Sequence, residues 1–379
     1  MSRRLEHAFD PKCNALNAWR LAMALGVILW HSWPLTGREL TIEPMHQLLR
    51  DGFVDGFFAM SGFLITWSWF RNPRLRDYFV ARALRILPGL WVCLVVVAFV
   101  IAPVSVMLRG GSVSSLLATG APLHYVLANS AVLVQQPGIA GTPAGVPWTG
   151  EWNGSLWTLS WEMLCYLLIA VLGVTGLLRR RWLIPSLFAL AVCASAALPA
   201  ASPFAETAPN DRSAIDADAI SLFMQQAAAR FAVMFFAGAL LYQFRHVIPA
   251  RWSLVALSAA ILLGAAFLPN YRVLAALPLA YLLITSGALI RRRSMTLRTD
   301  LSYGVYIYAF PVQQLLVIIG LGGLSVVVFA GIAALATVPL AALSWFVVEK
   351  PALSLKARVL RRRQRVDDRQ RQDADMPSS

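Results

Sequence analysis

Apolar runs about twenty residues long recur along the chain, divided by short polar or basic segments. One helix of that length crosses the hydrocarbon core of a bilayer. Ten segments fit, at roughly 16–33, 53–70, 86–107, 155–177, 182–200, 228–244, 252–269, 273–290, 301–320 and 324–348. They predict an all-α polytopic membrane protein of about ten transmembrane helices. An eleventh apolar stretch, about 119–137, is shorter and interrupted. It is expected as a re-entrant or interfacial part of the loop after the third span. There is no internal repeat of the kind that marks many transporters.

Composition agrees with that pattern. The 379 residues are 58% hydrophobic and 14% charged, with a mean hydropathy of +0.62. A soluble domain carries about 25% charged residues, so disorder, a coiled coil and an ordinary cytosolic enzyme are excluded. The net charge of +14 would by itself suggest a nucleic-acid partner. Position argues against it, because the basic residues cluster between apolar runs. With both termini cytoplasmic, 27 of the 33 Lys and Arg fall in inner segments. Only Arg38, Arg50, Arg109, Arg212 and Arg272 fall outside, and Arg230 lies near a helix end or within the membrane. That asymmetry is the positive-inside signature.

The chain therefore divides into a cytoplasmic segment 1–15, a membrane domain 16–349 and a basic, partly disordered cytoplasmic tail 350–379, which is suited to anionic headgroups. The first apolar run ends in His31-Ser32-Trp33-Pro34, which is no signal-peptide cleavage site. Cys13, Cys93, Cys165 and Cys193 form neither a disulfide framework nor a zinc motif, and no metal site is expected. The outer segment 138–154 is rich in Gly, Pro and Trp, a composition that suits sugar rings and membrane interfaces alike.

Ionisable side chains inside spans are costly and mark candidate sites. Arg20 and His31 are eleven residues apart, three helical turns, so they share one helix face about 16 Å apart. The same spacing also suits an interface arginine and a boundary histidine. Asp55 opens the second span, followed by Gly56, Ser61 and Gly62. A carboxylate near His31 would fix the imidazole tautomer and raise its basicity. Arg82 and Arg85 share a face before the third span, and their planar forks suit phosphate. Glu162 lies two turns into the fourth span, among apolar residues. Tyr303 is expected as an interface tyrosine, and Glu349-Lys350-Pro351 as a helix stop.

At these positions the sequence resembles acyltransferase family 3, ten-span membrane acyltransferases that modify surface glycans. Arg20 and His31 reproduce the family's Arg-ten-residues-His signature. FVDGFFAMSGFLIT (53–66), RALRILP (82–88), SLWTLSWEMLCYLL, LSYGVYIYAFP and WFVVEKP (345–351) resemble five further family blocks, in order. The resemblance spans about residues 10–356. Two departures stand out: Gly56 where the family often has Leu or Val, and Ala309 where a family histidine falls.

The resemblance implies transfer of an acyl group, usually acetyl, from cytoplasmic acyl-CoA to an acceptor hydroxyl, often on a glycan. No bound cofactor is expected; acetyl-CoA would be a co-substrate. Arg20, Arg82 and Arg85 would dock the anionic donor, and His31 would be the general base. Asp55 or Glu162 would support His31, and the residues do not choose between them. Ser61, Tyr303 and Glu349 would complete the site. The expected partners are the acyl-CoA donor, a carbohydrate or lipid-linked glycan acceptor and membrane lipids, with no nucleic acid, in the bacterial inner membrane. Buried charges also suit a transporter or flippase of a glycan or lipid-linked substrate.

Overall fold

In lipid every backbone N–H and C=O must be satisfied within the segment, so apolar runs of this length fold as helices. The computed structural model describes residues 3–40, 45–199, 216–292, 294–297 and 299–355. Residues 356–379 of the predicted tail lie outside the described residues, as does Arg212. The architecture is all-helical, with no β-strand among the described residues.

In chain order the helices are α1 (Leu5–Ala8), α2 (Leu16–Leu35), α3 (His46–Arg71), α4 (Leu75–Val96) and α5 (Ala102–Leu108), then α6 (Val113–Ala118), α7 (Ala121–Asn129), α8 (Trp157–Val174) and α9 (Leu183–Ala197). There follow α10 (Ala217–Gln243), α11 (Trp252–Ala265), α12 (Arg272–Leu289), α13 (Ser302–Ile318) and α14 (Val326–Ser344). A π-turn over Val97–Ile101 joins α4 and α5 into one rod, and another over Trp345–Glu349 extends α14 to Leu355. A helix thus covers each of the ten predicted segments. Among the described residues, six helices are long and apolar enough to cross a bilayer, while α9 and α11 are shorter apolar helices. The stretch 119–137 becomes the short helix α7 and an irregular loop. Asn129 organises that loop by accepting from the Gln135 and Gln136 amides at 2.9 and 3.1 Å.

Many helix faces turn large apolar side chains outward, such as Leu335 (76% exposed) and Phe267 (74%). A hydrocarbon surround accounts for that. Inside, two clusters form. One joins residues of α2, α4, α8, α13 and α14; the other joins α3, α10 and α12, with Leu5 and Ala8 of α1. Small residues set the closest crossing. A Cβ on Gly62 would sit 1.8 Å from the Phe235 carbonyl oxygen, and one on Gly238 would sit 1.9 Å from that of Ala59. The backbones of α3 and α10 therefore touch directly, as small-residue helix pairs do in membranes.

Two local expectations are corrected. Pro351 does not stop the last helix, which runs to Leu355. The preceding π-turn widens the coil where the proline ring would otherwise meet the carbonyl four residues back. Tyr303 is not an interface tyrosine: it is buried, and its hydroxyl donates to the Ile86 carbonyl at 2.8 Å.

Candidate functional site

Helix α2 carries a candidate group at each end. Near its start, Arg20 Nη1 donates to Asp300 Oδ2 at 2.8 Å, and Arg85 Nη2 of α4 donates to the same oxygen at 2.6 Å. The other oxygen, Oδ1, accepts from the Ser302 hydroxyl and from the Ser302 backbone N–H at 3.3 Å. Burial alone would raise the Asp300 carboxyl, but the Arg20 and Arg85 charges and the Ser302 bonds outweigh it and hold it below the ordinary carboxylate range. Glu349, turned inward by the π-turn and buried, accepts from Ser344 Oγ at 3.1 Å and lies 3.7 Å from Arg85 Nη1. Arg85 also lies over the rings of Tyr303 and Trp345, at 5.7 and 5.8 Å.

Arg82, one turn before Arg85, projects between two aromatic rings. Its guanidinium lies 4.8 Å from the Tyr78 ring and 5.4 Å from the Tyr166 ring. Its Nε is buried without a hydrogen-bond partner. The Tyr166 hydroxyl donates to Glu162 Oε1, which also accepts from Ser61 Oγ at 3.4 Å. Glu162 and Ser61 are thereby linked through Tyr166 to Arg82 and the Arg20 end of the protein. No hydrogen bond joins Glu162 to His31.

At the other end of α2, His31 packs edge-on against Phe310 with ring centroids 5.1 Å apart. Its Nδ1 is buried and has no hydrogen-bond partner. The surroundings are fixed by polar side chains of α13. Gln313 Nε2 donates to Ile28 O and Ser32 Oγ, both at 2.9 Å, bracketing His31 on its own helix. Gln314 Nε2 donates to the carbonyls of Trp148 and Glu151 at 2.6 and 3.0 Å, tying the Gly/Pro/Trp loop to α13. Within that loop Trp152 is fully buried, and its indole donates to Thr142 Oγ1 at 2.9 Å. Gly154 admits the Phe310 ring, since a Cβ there would come within 2.7 Å of it.

Asp55 belongs to a different cluster. Its Oδ1 accepts from Arg230 Nε at 2.6 Å, and its Oδ2 accepts from Arg272 Nε at 2.8 Å and from the Tyr271 hydroxyl. Asp51, one turn earlier, pairs with Arg230 at 2.9 Å, with Arg50 at 3.3 Å and with Arg272. Both carboxylates are buried. Asp55 thus faces α10 and α12 rather than His31. The next residue, Gly56, faces the seam between α2 and α12: a Cβ there would lie 2.8 Å from Met23 Sδ of α2 and 2.9 Å from Leu283 of α12. That close approach accounts for glycine where the family often carries Leu or Val.

Two cavities are lined without any residue of α2. One of about 320 Å³ is lined by Phe9, Trp67, Tyr242 and Arg245, and one of about 510 Å³ by α9 and α10.

Sequence reasoning missed Asp300, Asp51 and the anion-holding roles of Arg230 and Arg272. Asp300 carries a helix-start signal, an acid two residues before Ser302. The cluster around Asp55 was signalled by charges of opposite sign within apolar segments, which must pair in a low-dielectric interior.

Comparison with known proteins places the chemistry. An acyltransferase-domain family model matches residues 14–346, and the chain belongs to acyltransferase family 3. It is a membrane protein whose reaction class is acyl transfer. It is similar to Nodulation protein 10 of Rhizobium leguminosarum bv. viciae, 29% identical over 94% of this chain and 98% of that protein. It is also similar to the O-acetyl transferase of Shigella phage Sf6, 28% identical over 42% of this chain and 46% of that protein. No solved structure matches the chain.

Proposed function

We propose that the protein is a ten-span inner-membrane O-acetyltransferase with both termini in the cytoplasm. It takes acetyl from cytoplasmic acetyl-CoA and delivers it to a hydroxyl of a surface or periplasmic glycan or related acceptor. One observation carries the reading: a single helix bears Arg20, beside Arg85, at one end and an imidazole with an unpartnered buried nitrogen, His31, at the other. Arg20, Arg82 and Arg85 bind the donor phosphates by charge-assisted hydrogen bonds. His31 accepts the proton of the acceptor hydroxyl as its oxygen attacks the thioester carbonyl. The tetrahedral intermediate collapses, the C–S bond breaks, and the CoA thiolate leaves and takes up a proton. The product is the acetyl ester. The O-acetyl transferase named among the similar proteins supports the acetyl group and the hydroxyl acceptor.

The test is transfer of label from acetyl-CoA to candidate glycans by the purified protein. His31→Ala is expected to abolish transfer while keeping normal expression and a monodisperse elution profile. Undiminished transfer by that variant would overturn the assignment. Comparing surface polysaccharides and periplasmic glucans by mass spectrometry, with and without the protein, identifies the acceptor.

A further inference from the structure

We propose that Asp300 is a resident counter-ion that occupies the donor-phosphate position on Arg20 and Arg85 and is displaced when the donor binds. The proposal rests on the donor-site reading above. Its starting point is that two guanidiniums from different helices converge on one carboxylate oxygen, Oδ2, at 2.8 and 2.6 Å. That is the geometry in which a phosphate oxygen would be held. Arg20 makes no other hydrogen bond among the described residues, so its remaining N–H donors are available to a larger anion.

Charge balance explains why a carboxylate is present. Arginines 23% and 17% exposed at the edge of a membrane domain are costly without an anion. Asp300 supplies one negative charge for two guanidiniums, and Glu349 reaches Arg85 only at 3.7 Å. With Arg82 nearby, three guanidiniums stand against Asp300, Glu349 and, through Tyr166, Glu162. Their charges balance while the site is empty, so a donor anion binds best in exchange for one of these carboxylates. A CoA pyrophosphate, competing for the same N–H donors, would be repelled by Asp300 while Asp300 stays in place. Ser302 fixes where the carboxylate rests. Its hydroxyl and backbone N–H hold Oδ1 and leave Oδ2 as the exchangeable oxygen.

Removing this charge is therefore expected to strengthen donor binding, the opposite of what loss of a scaffold would do. Acetyl-CoA binding to the detergent-purified full chain, followed by titration calorimetry, tests this in Asp300→Asn, Asp300→Glu, Arg20→Ala and Arg85→Ala. Asp300→Asn is expected to lower Kd about three- to tenfold, and Asp300→Glu to stay near wild type. The two arginine variants are expected to raise Kd. Ser302→Ala, which loosens the resting carboxylate, should tighten binding in the same direction and serves where Asp300→Asn yields no folded protein. If the arginine variants weaken binding and both Asp300→Asn and Ser302→Ala weaken it too, Asp300 is a scaffold; this inference falls and the donor site stands. If wild type binds acetyl-CoA and the arginine variants do not change Kd, the donor site itself is misplaced and both readings fall.

Discussion

The Asn153 side-chain amide donates a 2.8 Å hydrogen bond to the carbonyl of Ile307, the acceptor that Pro311 leaves without its helical partner. Proline has no N–H to offer the carbonyl four residues back. Asn153 reaches into α13 from the Gly/Pro/Trp loop and fills the gap, with Cys93 Sγ as a second donor at 3.3 Å. The bond pins the loop beside Gly154 and Phe310, and Phe310 packs on His31. Asn153→Ala is expected to cost about 1–3 kcal/mol and to lower the thermal midpoint in detergent. Asn153→Asp, which keeps the shape but cannot donate, should behave the same way. An unchanged midpoint in both would show that the Ile307 carbonyl is satisfied otherwise.

Asp55 is expected to act on stability rather than on proton transfer. Both of its oxygens are taken by Arg230 and Arg272, and its exposure is 0%. Removing one partner of a buried pair leaves uncompensated charge and costs about 3–5 kcal/mol. Asp55→Ala should therefore show a large fall in folded yield and in thermal midpoint, measured by fluorescence-detected size exclusion. His31→Ala should show neither. A stable Asp55→Ala protein that has lost transfer alone would instead place Asp55 in the chemistry.

The crossing of α3 and α10 gives a steric prediction. Gly62 and Gly238 each face a backbone carbonyl at a distance no Cβ tolerates. Backbone cannot swing aside as a flexible side chain can, so Gly62→Val and Gly238→Val should each push the helices apart. Overpacking typically costs about 1–3 kcal/mol, occasionally more, and these contacts belong at the upper end. The readout is the thermal midpoint of each single variant and of the pair. The double variant should lose less than the sum, since one displacement relieves both clashes.

These relationships also show what the sequence makes legible. The helical segments could be read because lipid demands unbroken apolar runs, and that demand is local. Arg20 and His31 could be read because eleven residues is three turns of one helix. Asp300 could not, because its partners Arg20 and Arg85 lie 280 and 215 residues away and nothing local marks it as their anion. The direction of Asp55 was equally hidden. It depends on Gly56, not Asp55, meeting Met23 of α2, and on Arg230 and Arg272 arriving from two distant helices. That cluster also accounts for basic residues the charge asymmetry leaves over. Arg50, Arg230 and Arg272 all pair with Asp51. Arg38 and Arg109, likewise assigned to the outer side, are held by the carbonyls of Leu324 and Gly145. Topology statistics count such residues as exceptions, whereas tertiary pairing gives each a specific partner.

Arg82 supplies the last test, because its surroundings separate charge from shape. Its guanidinium lies over Tyr78 and Tyr166, and its Nε is buried without a partner. A planar cation stacks between rings and still presents a fork of N–H donors, which an ammonium does not. Arg82→Lys keeps the charge and loses the fork, so KM for acetyl-CoA is expected to rise about tenfold with little change in kcat. Tyr166→Phe removes the bond to Glu162 but keeps the ring beneath Arg82. It should reproduce part of that KM effect if Glu162 and Tyr166 act by positioning Arg82. A fall in kcat at saturating donor in Tyr166→Phe, with KM unchanged, would show instead that the Glu162–Tyr166 pair acts on the transfer step itself.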